Sequence, residues 1–275
     1  MFWPEEANRS MKKAFTLLFT VACVTGTAFA SSIVYGAGDN NSLYTINPAT
    51  GATTLVGAMG VNIYDIAEFG GKLYGISAAS NLYSISTTTG AATDIGSTGQ
   101  EFNALTFSST GVLYAAGIDT TDLFTVNTGT GASTKVSGET TQSDYNSAGD
   151  LQFVGNTLYL ITQTNGNSIL DTVNLATGAL TKVGTNLGSA NVFGLAESGG
   201  VLYGFTDNDG SSKVLSINTT TGVGSTVADY GGTGRSAFGF EGTTDNNMVP
   251  EPGTMGVMGL GLVGLGAFVR RRRKA

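Results

Sequence analysis

Residues 82–90 read Leu82-Tyr83-Ser84-Ile85-Ser86-Thr87-Thr88-Thr89-Gly90. The first half is a short alternating apolar run of the kind that forms a β-strand. The second half is a turn, in which Gly supplies a positive φ and a Ser or Asn at its head caps the bend. The same unit stands at Leu43-Tyr44-Thr45-Ile46-Asn47 with Thr50-Gly51, and at Leu123-Phe124-Thr125-Val126-Asn127 with Thr130-Gly131. Leu170-Asp171-Thr172-Val173-Asn174 with Thr177-Gly178, and Val214-Leu215-Ser216-Ile217-Asn218 with Thr221-Gly222, complete the series. Its glycines fall 39, 41, 47 and 44 residues apart. Tyr35, Tyr74, Tyr114, Tyr159 and Tyr203 keep the same period, as do the apolar residues Ile66, Leu105, Leu151, Leu195 and Phe240.

Each period holds four short β-type runs, named a to d in chain order. In the second period they lie near Tyr64–Phe69, Lys72–Ile76, Asn81–Ser86 and Ala91–Ile95. Runs of type c are apolar on both faces, as in a sheet covered on both sides. Four strands per ~40–45 residues is the blade of a β-propeller. The ends of the series sharpen this. The first copy begins at run b, with Ile33-Val34-Tyr35-Gly36, and the last is followed by an extra run a, Ala237-Phe238-Gly239-Phe240-Glu241. A ring uses that offset, because the last strand completes the first blade and removes a free edge. The expected fold is therefore all-β: a five-bladed propeller over 31–243, closed by a C-terminal strand. The structural rival is a pair of packed β-sandwiches.

Composition narrows the chemistry. The 275-residue chain has no His and a single Cys, Cys23. That removes Ser-His, Cys-His and His-metal arrangements, together with any disulfide framework or Cys-based zinc site. The formal charge of −7 argues against nucleic acid as a partner, since that requires a basic surface. Residues 31–248 alone hold five Lys and Arg against seventeen Asp and Glu, a net of −12.

The ends of the chain read as addresses. Residues 1–30 are expected to be a signal peptide with Met11 as its start. Lys12 and Lys13 form the positive region, 14–24 is the apolar region, and Ala28-Phe29-Ala30 is the small-x-small site for signal peptidase. At the other end, 244–252 is a linker containing Val249-Pro250-Glu251-Pro252. Residues 253–269 carry no charge, and as a helix they would run about 26 Å, slightly short of a ~30 Å hydrocarbon core. Arg270, Arg271, Arg272, Arg273 and Lys274 follow, within a 270–275 tail that such charges hold in the cytoplasm. The helix is thus expected to insert in the inner membrane with the body exported.

Pro-Glu-Pro, a short Gly-rich apolar helix and a terminal arginine cluster, in that order, resemble the PEP-CTERM sorting signal of Gram-negative bacteria. The resemblance covers 249–275. It implies an exosortase as partner, reading Pro250, Glu251 and Pro252 at the membrane face. It also implies export to the envelope of a bacterium that makes exopolysaccharide.

For the body, two places are candidates for function. In an up-and-down blade the b–c and d–a loops share one face of the ring. By this reading Asp119, Asp122, Asp144 and Asp229 fall there, with the stretches 137–149 and 228–235 as its longest d–a connections, and make an acidic face suited to a cation or a cationic partner. Asp207-Asn208-Asp209-Gly210 resembles half of a Ca²⁺ loop, with Asp207 and Asp209 as ligands, although the distal Glu is missing. The second place is the ring axis, where runs a can project Asp65 or Glu68, Asp150 or Gln152, Glu197 and Glu241. Paired carboxylates ~5–10 Å apart can cleave glycosides. The expectation is nevertheless a non-catalytic binding or structural propeller of the cell surface or exopolysaccharide matrix. It needs no cofactor apart from that candidate Ca²⁺, and its partner is exopolysaccharide or another envelope protein. The alternative is a carbohydrate-active hydrolase or lyase.

Overall fold

Every described regular element is a strand, twenty in all, and each sheet pairing is antiparallel. The computed structural model describes residues 33–38, 40–117, 122–136, 146–206, 212–231 and 237–242. β1 (Val34–Gly38), β2 (Ser42–Ile46) and β3 (Thr53–Ala58) open the chain. β4 (Ile63–Phe69), β5 (Lys72–Ser77), β6 (Asn81–Ile85) and β7 (Ala92–Ser97) form one sheet. β8 (Phe102–Phe107), β9 (Leu113–Gly117), β10 (Leu123–Val126) and β11 (Ser133–Lys135) form the next. β12 (Asn146–Val154), β13 (Thr157–Thr164), β14 (Asn167–Val173) and β15 (Leu180–Lys182) follow, then β16 (Val192–Ser198), β17 (Val201–Thr206), β18 (Ser212–Ile217) and β19 (Gly224–Gly231). β20 (Ala237–Gly242) pairs with β1, so the fifth sheet runs β20-β1-β2-β3.

That last pairing closes a five-bladed propeller. Tyr35 stands opposite Glu241 and Gly36 opposite Phe240. The innermost strands β4, β8, β12 and β16 each pack against the next, and β20 packs against both β16 and β4. Tyr35 also meets Thr87 and Glu68 of the following blade, and burial there pushes its phenol up. The sandwich rival is excluded by this circuit of five separate sheets.

Burial follows position in the blade. The inner strands are buried along most of their length, whereas the outermost β3 and β7 alternate between partial and full exposure. The core lies between blades rather than within one sheet. Ala104, Ala116 and Leu123 of the β8–β11 blade pack against Leu151, Phe153, Leu158 and Leu160 of the β12–β15 blade. Tyr114 and Phe153 meet across that seam with ring centroids 5.8 Å apart. Each fully buried Leu or Phe contributes about 1.5–3 kcal/mol.

The Thr-Gly turn has the expected chemistry and a second role. Asn47 Oδ1 accepts from the backbone N–H groups of Ala49 and Thr50, and Asn127, Asn174 and Asn218 cap their turns the same way. The glycine N–H reaches back to the carbonyl of the cap residue, as in Gly90 to Ser86 at 2.8 Å. Gly90 has φ +76°, and a Cβ on it would lie 2.5 Å from the carbonyl oxygen of Gly57 in the preceding blade. At Gly131 the equivalent obstacle is Gly96 O, at 2.3 Å. The turn therefore clasps its neighbour's outer strand, backbone to backbone.

One expected loop is a strand. Asp229 lies within β19 and stands opposite Lys213, not in a d–a connection. Tyr230 explains the extension: it is buried, its hydroxyl donates to Thr206 O at 2.7 Å, and its ring meets Phe205 edge-on. Likewise β12 begins at Asn146, inside the stretch read as a long loop. The chain divides into a body of 31–247 and a second unit of 1–30 with 248–275. The expected signal peptide, sorting motif, apolar helix and basic tail belong to that second unit and lie outside the described residues. Among the described residues no helix is long and apolar enough to cross a membrane.

Candidate functional site at the ring axis

The residue preceding the apolar marker of each inner strand is Asp65, Ala104, Asp150, Gly194 and Gly239 in turn. Both aspartates sit at irregularities of the pairing, between Ile63 and Asp65 on β4 and between Ser147 and Leu151 on β12. Both are completely buried. Asp65 Oδ1 accepts from the N–H of Ile66 at 2.8 Å, and its Oδ2 accepts from the N–H of Leu105 on β8 at 2.6 Å. Asp150 Oδ2 accepts from the N–H of Leu195 on β16 at 2.5 Å. Each aspartate thus ties its own inner strand to the inner strand of the next blade.

The two carboxyls also meet each other. β4 and β12 approach directly, although β8 separates them in the ring order. Burial, then the negative charge of Asp65, hold the Asp150 carboxyl well above the usual carboxylate range. The backbone N–H groups of Leu195 and Leu151 pull the other way, and the direct contact with the Asp65 side chain raises it further. The raised carboxyl makes Asp150 the carrier of a shared proton.

Three buried side-chain oxygens on the inner strands β8 and β12 find no hydrogen-bond partner: Asp150 Oδ1, Thr106 Oγ1 and Gln152 Oε1. Thr106 and Gln152 occupy equivalent positions on β8 and β12, opposite the repeat tyrosines Tyr114 and Tyr159. Gln152 spends its amide on the carbonyl of Phe153 at 3.3 Å.

Glu68 and Glu197 play a different part. Glu68 Oε1 accepts from Gly71 N and Glu197 Oε1 from Gly200 N, each at 2.6 Å, so both glutamates brace the tight a–b turns. Glu241 faces Tyr35 in the strand register. Asp171 is a further buried acid, on strand c, bonded by the Thr162 hydroxyl at 2.5 Å. Burial raises its carboxyl, while Thr162 and Lys182 oppose the shift. It stands where other copies have Tyr44, Tyr83 and Phe124, a substitution whose burial the sequence pattern did not signal.

The acidic face is less unified than the sequence reading expected. Asp122 pairs with Lys135 Nζ at 2.8 Å, and Asp229 is exposed on β19. Asp119, Asp144, Asp207 and Asp209 lie outside the described residues. Among the described residues no group of three or more His, Cys, Asp or Glu is placed to hold a metal.

Residues 249–273 match the PEP-CTERM protein-sorting motif. The motif implies an exported, envelope-associated protein that an exosortase processes. It covers the Pro250-Glu251-Pro252 triplet, the apolar segment and the arginine cluster. No curated protein is detectably similar to the chain. Among solved structures, it is similar to a structural-genomics protein of unknown function from Bacteroides thetaiotaomicron, with 14% identity and a TM-score of 0.46. That match covers 66% of this chain and spans about half, 53%, of the other.

Proposed function

We propose that the protein is an exported, non-catalytic propeller that serves as a binding or structural element at the bacterial cell surface or in the exopolysaccharide matrix. In this reading signal peptidase cleaves after Ala30, residues 253–269 hold the chain in the inner membrane, and Arg270 to Lys274 stay in the cytoplasm. The exosortase then acts at Pro250-Glu251-Pro252. The observation that carries the non-catalytic part is the state of the axial carboxylates. Asp65 and Asp150 are fully buried and already hold neighbouring backbone N–H groups. Their side chains are in direct contact. Glycoside chemistry needs two carboxyls roughly 5–10 Å apart with the sugar between them. Glu68 and Glu197, two further acids expected at the axis, are engaged at turns.

The test is retention of the purified exported protein on exopolysaccharide, with product release followed in parallel. Retention without release of reducing or unsaturated ends is expected. Turnover that disappears in Asp65→Asn would replace this reading with the hydrolase or lyase. For sorting, replacing Pro250, Glu251 and Pro252 by Ala should leave the protein unprocessed in the inner membrane; normal processing of that variant removes the exosortase step.

A further inference from the structure

We propose that the ring face made by the a–b and c–d turns is a membrane-docking surface, seated on the phospholipid headgroups of the bilayer that takes up residues 253–269. The inference rests on the reading of that segment as membrane-held. Strand register puts both kinds of turn at one end of the blade: Phe69 stands opposite Lys72, Leu73 opposite Ile85, and Ile85 opposite Ala92. The body also begins and ends there. Val34 pairs with Ile46, beside a c–d turn, and with Gly242, the last residue of β20.

Charge and apolar exposure both distinguish this end. None of the turns 47–52, 70–71, 86–91, 108–112, 127–132, 155–156, 174–179, 199–200 and 218–223 holds an Asp, Glu, Lys or Arg. Every Asp and Glu that stands between strands, Glu101 and Asp122 among them, is in a connection at the other end. Glu68 and Glu197, on strands that enter the a–b turns, accept from Gly71 N and Gly200 N. Of the large apolar side chains left exposed among the described residues, Ile33, Phe69, Val112, Leu175, Val201 and Val223 lie in or beside these turns. The others, Leu55 and Val227, stand on the outer strands β3 and β19. Phe69 reaches across to the next blade's turn, where a Cβ on Gly111 would lie 2.8 Å from its ring. Exposed apolar residues gathered on one uncharged face mark an interaction surface. A bilayer surface fits it: apolar side chains enter the headgroup boundary, and the Thr and Ser of the turns stay among polar headgroups. Exposed Lys72 can meet a phosphate, while the loop acids are held at the far end, where salt screens them from anionic lipid. The chain sets the distance. From Gly242 to Val249, where the matched motif begins, is at most about 25 Å at ~3.6 Å per residue. A tether that short, leaving from this face, turns the face to the lipid.

The exported chain, residues 31–275, has no cysteine, because Cys23 precedes it, so one fluorophore can be placed at a chosen site. Ser109→Cys puts it on an a–b turn and Ala79→Cys on a b–c turn, both at exposed positions. Each labelled chain is reconstituted in vesicles of phosphatidylethanolamine and phosphatidylglycerol, floated to establish insertion, and quenched with lipid carrying a headgroup nitroxide. The label at 109 should be quenched several-fold more than the label at 79. Adding Val112→Ser and Val201→Ser should remove most of that difference, with the thermal midpoint read alongside to verify the fold. Chains that float and are quenched equally at both positions overturn the docking and leave the anchored reading intact. A difference that survives the two Val→Ser changes in folded protein also overturns it, since the tether alone then orients the ring. Energy transfer between labels at 109 without lipid quenching overturns it in favour of a second copy on this face. Chains that do not float overturn the anchored reading and this inference together.

Discussion

The rim and the axis of this ring are joined by opposite means. At the rim the seams are alike. A Thr-Gly turn presses its backbone on the outer strand of the preceding blade, with Gly90 against Gly57, Gly131 against Gly96 and Gly222 against Gly184. The clasp itself is backbone on backbone, so blades of different side-chain content can use the same device. At the axis the seams differ. β4 and β12 each send an aspartate to the next blade, whereas β8 and β16 carry Ala104 and Gly194 at that position. Five strands converge there, and carboxylates on all of them would crowd like charges into a dry space. Repetition suits the rim because backbone contact is neutral. The axis must break it.

The largest effect should come from the rim. Gly90→Ala meets a carbonyl at 2.5 Å while holding φ +76°. The left-handed conformation alone costs about 1–2 kcal/mol, and the clash adds to it, so a loss of about 3 kcal/mol or more is expected in denaturant unfolding. Gly70→Ala is the control. Its φ is +59°, yet nothing lies within 4 Å of its added Cβ, so it should lose only the conformational part. Equal losses would show that the clasp contributes nothing. Next comes the axis. Asp65→Ala strips the acceptor from Leu105 N and Ile66 N. Each unsatisfied buried N–H costs about 1–3 kcal/mol, partly offset by relief of Asp150, so a net loss of about 2 kcal/mol is expected. Gain of stability would mean that charge repulsion dominates the seam.

This contrast also governs what the sequence could tell. The rim was legible because its chemistry is local and recurs: Asn47, Asn127, Asn174 and Asn218 cap turns that Gly51, Gly131, Gly178 and Gly222 complete. The strands of the second period lie within two residues of where alternation put them. The offset of Ile33 and Phe240 disclosed ring closure for the same reason, since a missing first strand and a surplus last one are visible in a count. What pattern did not disclose was the clasp, because the partner of Gly90 is a backbone in another blade. The axis was legible only as a list of acids. Glu68 and Glu197 looked equivalent to Asp65 and Asp150, yet they lie nearer the a–b turn and serve Gly71 and Gly200. Asp229 was misplaced because its Asp-Tyr-Gly-Gly context reads as a loop, while burial of Tyr230 holds it in a strand.

A third effect is pH-dependent. The ordinary aspartate value is 3.8, and Asp150 is held well above it, chiefly by burial and then by Asp65. The folded chain therefore keeps a proton that the unfolded chain releases above that value. The stabilising contribution is fully present below the ordinary value and is lost as pH rises through the folded one. The slope for one proton is at most about 1.4 kcal/mol per pH unit. Asp150→Asn cannot release that proton, so unfolding measured across this window should lose this part of its pH dependence. An unchanged slope would assign the titration to other groups.

The smallest effect belongs to the one surface pair among the described residues that resembles the axis in composition but not in setting. Asp122 and Lys135 lie 2.8 Å apart, with 25% and 42% of their side chains exposed. Water screens them, and exposed pairs of this kind contribute about 0–1 kcal/mol. A double-mutant cycle of Asp122→Asn and Lys135→Gln should return a coupling within that range, and added salt should reduce it. Asp65 and Asp150, measured the same way, should show several-fold stronger coupling that salt leaves almost unchanged. If both cycles respond alike to salt, the axis is open to solvent and its seams are not the dry contacts that burial implies.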